Sequence, residues 1–150
     1  MNGHTIFTIG YEQATQAAVV AALREAGVEV LADIRYLPLS RRPGFSKSSL
    51  RAAVEEAGIE YRHLRDLGTP AEGRAAARRG DHAMLARVYA GQLELPEALK
   101  QMAELRALAE QERVCLLCYE RDASGCHRSL LFDALLSDFT RVDLKPVLVA

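Results

Sequence analysis

The sequence predicts an α/β fold: one domain over residues 1–150, with a mostly parallel sheet of four to five strands and helices on both faces. Short β-branched and aromatic runs alternate with longer stretches whose apolar residues recur at helical spacing, the rhythm of successive strand–helix units. One junction occurs twice, Glu25-Ala-Gly-Val-Glu-Val30 and Glu56-Ala-Gly-Ile-Glu-Tyr61, each reading as helix end, glycine cap and strand start. The 150 residues suffice for one domain with a real core and hardly for two.

Taken in order, Thr5 to Ile9 reads as a buried strand that stops at Gly10, where the chain can turn sharply or another group can approach the backbone. Thr15 to Ala26 is an amphipathic helix with Val19, Val20 and Leu23 on one stripe, and Gly27 caps it. Val28 to Ile34 is the second strand. From Tyr36 to Lys47 two prolines and a glycine exclude regular structure. Ser46 or Ser48 can cap the next helix, which carries Leu50, Val54 and Ala57. Ile59 to His63 is a short third strand that gives way to the stretch from Leu64 to Pro70. Ala71 to Gly80, rich in alanine and arginine, reads as surface loop or frayed turn.

Asp81 can cap a helix through Tyr89 with Met84, Leu85 and Val88 inward, and Tyr89 reads as core. Leu95-Pro96 opens another, with Leu99, Met102, Ala103 and Leu108 as its core stripe. The fourth strand, Val114 to Cys118, leads through a polar loop into a helix from Ser129 to Ser137 carrying Leu130, Leu131, Ala134 and Leu135. The tail from Arg141 to Ala150 can add a strand around Val147, and Pro146 confines it to an edge.

Composition excludes more than it identifies. Hydrophobic residues at 49% and charged ones at 26% are ordinary for a globular protein. With a formal net charge of −1, no global field draws the chain to nucleic acid or membrane, so attraction for an anion must be local. No apolar stretch approaches the roughly 20 residues needed to span a bilayer. Met1 to Thr8 lacks the basic start and apolar run of a secretory signal. Three cysteines, an odd number without a stapling pattern, fit a reducing cytoplasm. No cofactor and no oligomeric state can be read from the residues.

In a parallel sheet the carboxyl ends of the strands share one rim, where open α/β proteins place their sites. That rim would collect Gly10-Tyr11, Asp33 to Arg35, His63 with Leu67-Gly68, and the loop from Cys118 to Arg128. From Arg35 to Arg51 there are five basic residues (Arg35, Arg41, Arg42, Lys47 and Arg51) and no acidic one. With Tyr36 and Phe45 interleaved, this segment suits phosphate plus a stacked base.

At Thr8-Ile-Gly-Tyr11, Asp33-Ile-Arg35 with Pro38, Ser40, Arg41 and Gly44-Phe45, Tyr61 with Leu67-Gly68, and Cys118-x-Glu120 with Cys126-His127-Arg128, the chain resembles the family catalogued as domain of unknown function 488. The resemblance runs nearly end to end. It implies a single α/β domain and brings no established activity.

The residue types allow three chemistries. In the first, an enzyme acts on a phosphate-bearing small molecule, nucleotide or nucleic acid: Tyr11, Arg35, Ser40, Arg41, Lys47 and Arg128 hold the anion, and Asp33, Glu120, Cys126 and His127 are the candidates for chemistry. Two carboxylates at neighbouring strand ends can divide acid and base roles, and a thiol at a helix start beside His127 and Arg128 should be held toward thiolate. A thiol-phosphatase loop fits poorly, because the nine residues between Cys118 and Arg128 exceed the tight ring that wraps one phosphate. The second is a binding module without catalysis. The third is a thiol redox or metal site, with Cys118, Cys126 and His127, joined by Glu120, as ligands. Cys115-x-x-Cys118 is no chelate on a continuous strand, whose residues i and i+3 face opposite sides. Each group also has a plain structural reading: Cys126 a small buried residue, His127 a cap, Arg128 an ion pair with Glu120 or Asp33, and Asp33–Arg35 an internal salt bridge.

Overall fold

The structure, a computed structural model, describes residues 3–148. Residues Met1, Asn2, Val149 and Ala150 lie outside the described part, and with them the ends of the N-terminal reading and of the expected tail strand. Five strands form one sheet in the order β3-β2-β4-β1-β5: β1 Thr5–Gly10, β2 Val30–Asp33, β3 Glu60–His63, β4 Val114–Cys118 and β5 Thr140–Leu144. Every pairing is parallel. Six helices connect them: α1 Gln16–Glu25, α2 Lys47–Glu56, α3 Ala71–Arg78, α4 His82–Leu93, α5 Pro96–Gln111 and α6 His127–Leu135.

Strand residues alternate between two apolar clusters, one on each face. Ile6, Val30, Ala32, Val114 and Leu116 pack with Tyr89 of α4, Leu105 of α5 and Leu131 of α6. Phe7, Ile9, Leu31, Cys115 and Leu117 pack with Val19 and Leu23 of α1 and Leu50 and Val54 of α2. The chain therefore leaves β1 and β2 toward one face, and leaves β4, which lies between them, toward the other. Connections diverging in this way open a crevice at the carboxyl end of β4. No helix among the described residues is long and apolar enough to cross a membrane.

Several boundaries follow from capping. The Thr15 side chain accepts from Ala18 N at 3.0 Å, and Asp81 accepts from Met84 N at 3.0 Å. Gly27 and Gly58 both take the left-handed conformation expected of them, at φ 72° and 82°. Ser46 occupies the cap position of α2, but its hydroxyl does not cap: it accepts from Ser40 N at 3.2 Å and pins the loop instead.

Three expectations need correction. Residues 71–78 are a helix, not a loop. Alanine is the best helix former, and Gly73 lets the helix settle on Thr69, whose Cγ2 would lie 2.2 Å from a Cβ there. The stripe of α5 is rotated from the predicted one: Ala98, Leu105 and Ala109 are buried, with Met102 and Leu108 packed beside them, whereas Leu99 is 53% exposed. The last strand ends at Leu144, before Pro146, and Val147 is 80% exposed.

Candidate functional site

A cleft of about 420 Å³ opens at the carboxyl ends of β1, β2 and β4. Its floor is formed by Tyr11 after β1, Arg35 after β2, and Cys118 to Glu120 at the end of β4, with His127 from the first turn of α6. The loop after β2 contributes Tyr36, Leu37, Leu39, Ser40 and Arg41. The far wall is Thr69 with Arg74, Ala77 and Arg78 of α3. Gly10 makes the floor possible, because a Cβ there would sit 1.7 Å from the carbonyl oxygen of Glu120.

Asp33 does not reach the cleft. Its carboxylate is fully buried and takes the Arg35 guanidinium in a two-pronged pair, from Nε at 2.9 Å and Nη2 at 2.7 Å. It also accepts from the Arg35 backbone N–H at 3.1 Å and from Tyr61 Oη at 2.5 Å. Arg35 borders the cleft but spends most of its donors elsewhere: Nη1 donates to Phe45 O at 2.6 Å and to Tyr11 Oη at 3.2 Å. Asp33, expected among the candidates for chemistry, is placed as the partner of a buried cation, and the Asp33–Arg35 pair is an internal salt bridge.

Arg128, expected among the residues that hold the anion, is likewise turned away from the cleft. It is 1% exposed and does not border the cleft. Nη1 donates to Glu120 O at 2.6 Å and lies 2.8 Å from Cys118 Sγ, and Nη2 donates to Arg121 O at 3.1 Å. The guanidinium ties the loop between β4 and α6 to its own backbone, and among the described residues it makes no ion pair with the carboxylate of Asp33 or Glu120. Arg35 and Arg128 therefore do not share an open anion site. Lys47 opens α2, exposed and outside the cleft.

Cys126 stands at the cap position of α6, 2% exposed, with its sulfur bonded to that of Cys118. The expected free thiol is absent from this state, and the reading that the cysteines have no stapling pattern is corrected by the same bond. Cys115 is free, buried on the opposite face of β4, where burial pushes its thiol well up.

The expected residues that do border the cleft are Tyr11, Arg35, Ser40, Arg41, Cys118, Glu120 and His127. Burial pushes the Glu120 carboxyl above its ordinary value, against its own backbone N–H and Arg128. Burial holds His127 down to about 4, so its ring is neutral near pH 7. Its Nε2 lies 2.7 Å from Ile34 O; a carbonyl only accepts, so Nε2 carries the hydrogen and Nδ1 presents a lone pair. Tyr89 packs edge-on against the same ring at 5.2 Å and anchors itself through Oη to Leu67 O at 2.6 Å.

Sequence reasoning missed the wall made by α3. Arg74 donates to Thr69 O at 2.9 Å and lies 5.7 Å from the Tyr36 ring, while Arg78 makes no ion pair among the described residues. Thr69 Oγ1 is buried, borders the cleft and has no hydrogen-bond partner among the described residues. The four-residue spacing of Arg74 and Arg78 was the available signal, since on a helix it puts both on one face.

The sequence model of the family described as "Domain of unknown function DUF488" matches residues 15–135 of the 150. No curated protein matches the chain.

Proposed function

The chain belongs to the DUF488 family, and we propose that its cleft binds a phosphate-bearing ligand, a nucleotide or a segment of nucleic acid. The observation that carries this reading is a charge imbalance: Arg35, Arg41, Arg74 and Arg78 border the cleft, against Glu120 as its one carboxylate. Asp33 already answers Arg35. Arg41, Arg74 and Arg78 then stand against Glu120 alone, an excess of positive charge carried on guanidinium forks of the kind that grip phosphate oxygens. Tyr36, Tyr119, Leu37 and Leu39 offer an apolar border on which a base can lie. Thr69 Oγ1 offers a hydroxyl already stripped of water. The volume suits one small ligand or the end of a longer one.

Glu120 and His127 are the groups that would act on the bound ligand. A scheme with two carboxylates lacks its second member, since Asp33 is sealed. Turnover of any bound member of a nucleotide and oligonucleotide panel, lost in Glu120→Gln, separates an enzyme from a binding module. Binding itself is tested by titrating the same panel at low and moderate salt. The expected result is binding that weakens with salt and falls roughly tenfold or more in Arg41→Ala/Arg78→Ala, the scale of a lost charge-assisted contact. A wild-type protein that binds no member of the panel, or a double variant that binds as wild type does, overturns the reading.

A further inference from the structure

At the floor of the cleft lies a group of side chains that does not hold the anion, though it includes His127, assigned above to act on the bound ligand. The sulfurs of Cys118 and Cys126 and a ring nitrogen of His127 all lie within 4.8 Å of one another, and all three residues are buried. We propose that, once the Cys118–Cys126 bond is reduced, these side chains hold a thiophilic divalent cation, with Zn(II) as the simplest case. The S–S bond and the ion are then alternative states of one site.

Four features support a metal centre over a bare thiol pair. First, the Nε2 hydrogen of His127 is committed to Ile34 O, so the lone pair falls on Nδ1, which is 3.7 Å from Cys126 Sγ. Two donors of a tetrahedral zinc centre, one sulfur and one nitrogen, stand about 3.6 Å apart for ordinary bond lengths. Second, the imidazole–carbonyl bond is the outer contact that fixes the tautomer of ligating histidines, and the Arg128 N–H directed at Cys118 Sγ is an equivalent contact to a ligating sulfur. Third, the Cα atoms of the two cysteines are 7.4 Å apart, wider than the roughly 4.4–6.8 Å usual for a directly bonded pair. A backbone held at that spacing leaves room for an ion between the sulfurs. Fourth, Cys118 and His127 both border the cleft, so a fourth coordination position faces it. Three protein ligands and one open position is the arrangement of reactive rather than purely structural zinc.

The exchange between the two states balances. Binding releases the two thiol protons as the ion enters. Oxidation by a small-molecule disulfide takes two electrons from the paired sulfurs, forms the Cys118–Cys126 bond and releases the ion. The small disulfide takes up two protons and leaves as two thiols. Cys115 has no part in this, because its side chain lies in the cluster on the other face.

The test uses the full chain, purified with reductant and without chelator, and titrated with Zn(II) alone. The reduced protein is expected to take one zinc per chain, to release it on treatment with a small-molecule disulfide, and to recover it on reduction. Co(II) in place of Zn(II) should give the visible and thiolate charge-transfer absorption of a tetrahedral sulfur site in the unaltered chain, which needs no variant to fold. Cys126→Ser should weaken zinc binding by more than the roughly 10- to 100-fold typical of losing an outer partner, whereas Cys115→Ser should not change it. Arg41→Ala, which tests anion binding, should bind zinc as wild type does, so failure of one proposal is distinguishable from failure of the other. A reduced wild-type protein that binds no zinc, an oxidised one that keeps it, or an unaltered affinity in Cys126→Ser overturns the inference.

Discussion

β2 and β4 are neighbours in the sheet, and each ends in a short run with a carboxylate: Asp33-Ile34-Arg35 after one, Cys118-Tyr119-Glu120 after the other. At β2 the acid and the base close on each other. Asp33 is satisfied by Arg35 and Tyr61, Arg35 by Asp33, Phe45 O and Tyr11, and the carboxylate is sealed beneath Arg35 and Tyr11, which border the cleft. At β4 the cation, Arg128, turns down into backbone carbonyls, which leaves Glu120, Cys118 and His127 bordering the cleft. Proximity of an acid and a base along the chain thus says little about reactivity. What matters is whether the partner charge is spent on the acid or on the backbone.

The sharpest way to break this contrast is at β2. Asp33→Ala strands the buried Arg35 charge and should cost about 3–5 kcal/mol, read as the loss of midpoint in urea unfolding. A loss under about 1 kcal/mol would mean that the pair is not structural. At β4, Arg128→Met leaves the carbonyls of Glu120 and Arg121 without their donor and should cost about 1–3 kcal/mol. If anion binding fell in this variant with stability intact, Arg128 would belong to the ligand site after all. Gly10→Ala forces a Cβ onto Glu120 O. It should cost a similar 1–3 kcal/mol, roughly the range for overpacking, and should disturb the cleft floor by displacing Glu120, visible as shifted amide resonances for residues 118–121. The smallest effect on stability, within about 0.5 kcal/mol, is expected for Arg41→Ala/Arg78→Ala. If those changes unfolded the protein as Asp33→Ala does, the division between spent and available cations would fail.

Much of this architecture was legible in the sequence, because β-branched runs, glycine caps and amphipathic spacing act locally. The rim was legible too, since parallel strands put their carboxyl ends together whatever the details. Which charges stay available was not. The burial of Asp33 depends on Tyr61, 28 residues away, and no property of the tripeptide reports that. The α3 helix was missed because Ala71 to Arg78 has no large apolar stripe; it packs through Gly73 and Ala76, which carry almost no hydropathic signal. The α5 stripe was misjudged for the same reason: Ala98 and Ala109 are buried while the larger Leu99 faces solvent.

The α3 helix stands outside the sheet, with α4 as its packing neighbour and Gly73 as its point of close approach to Thr69. Two of the cleft's four arginines ride on it. If the cleft takes the proposed anion, selectivity and foldability are carried on separate parts of the chain. Substitutions at Arg74, Ala77 and Arg78 would then retune what is admitted while the strands and the Asp33–Arg35 pair stay as they are.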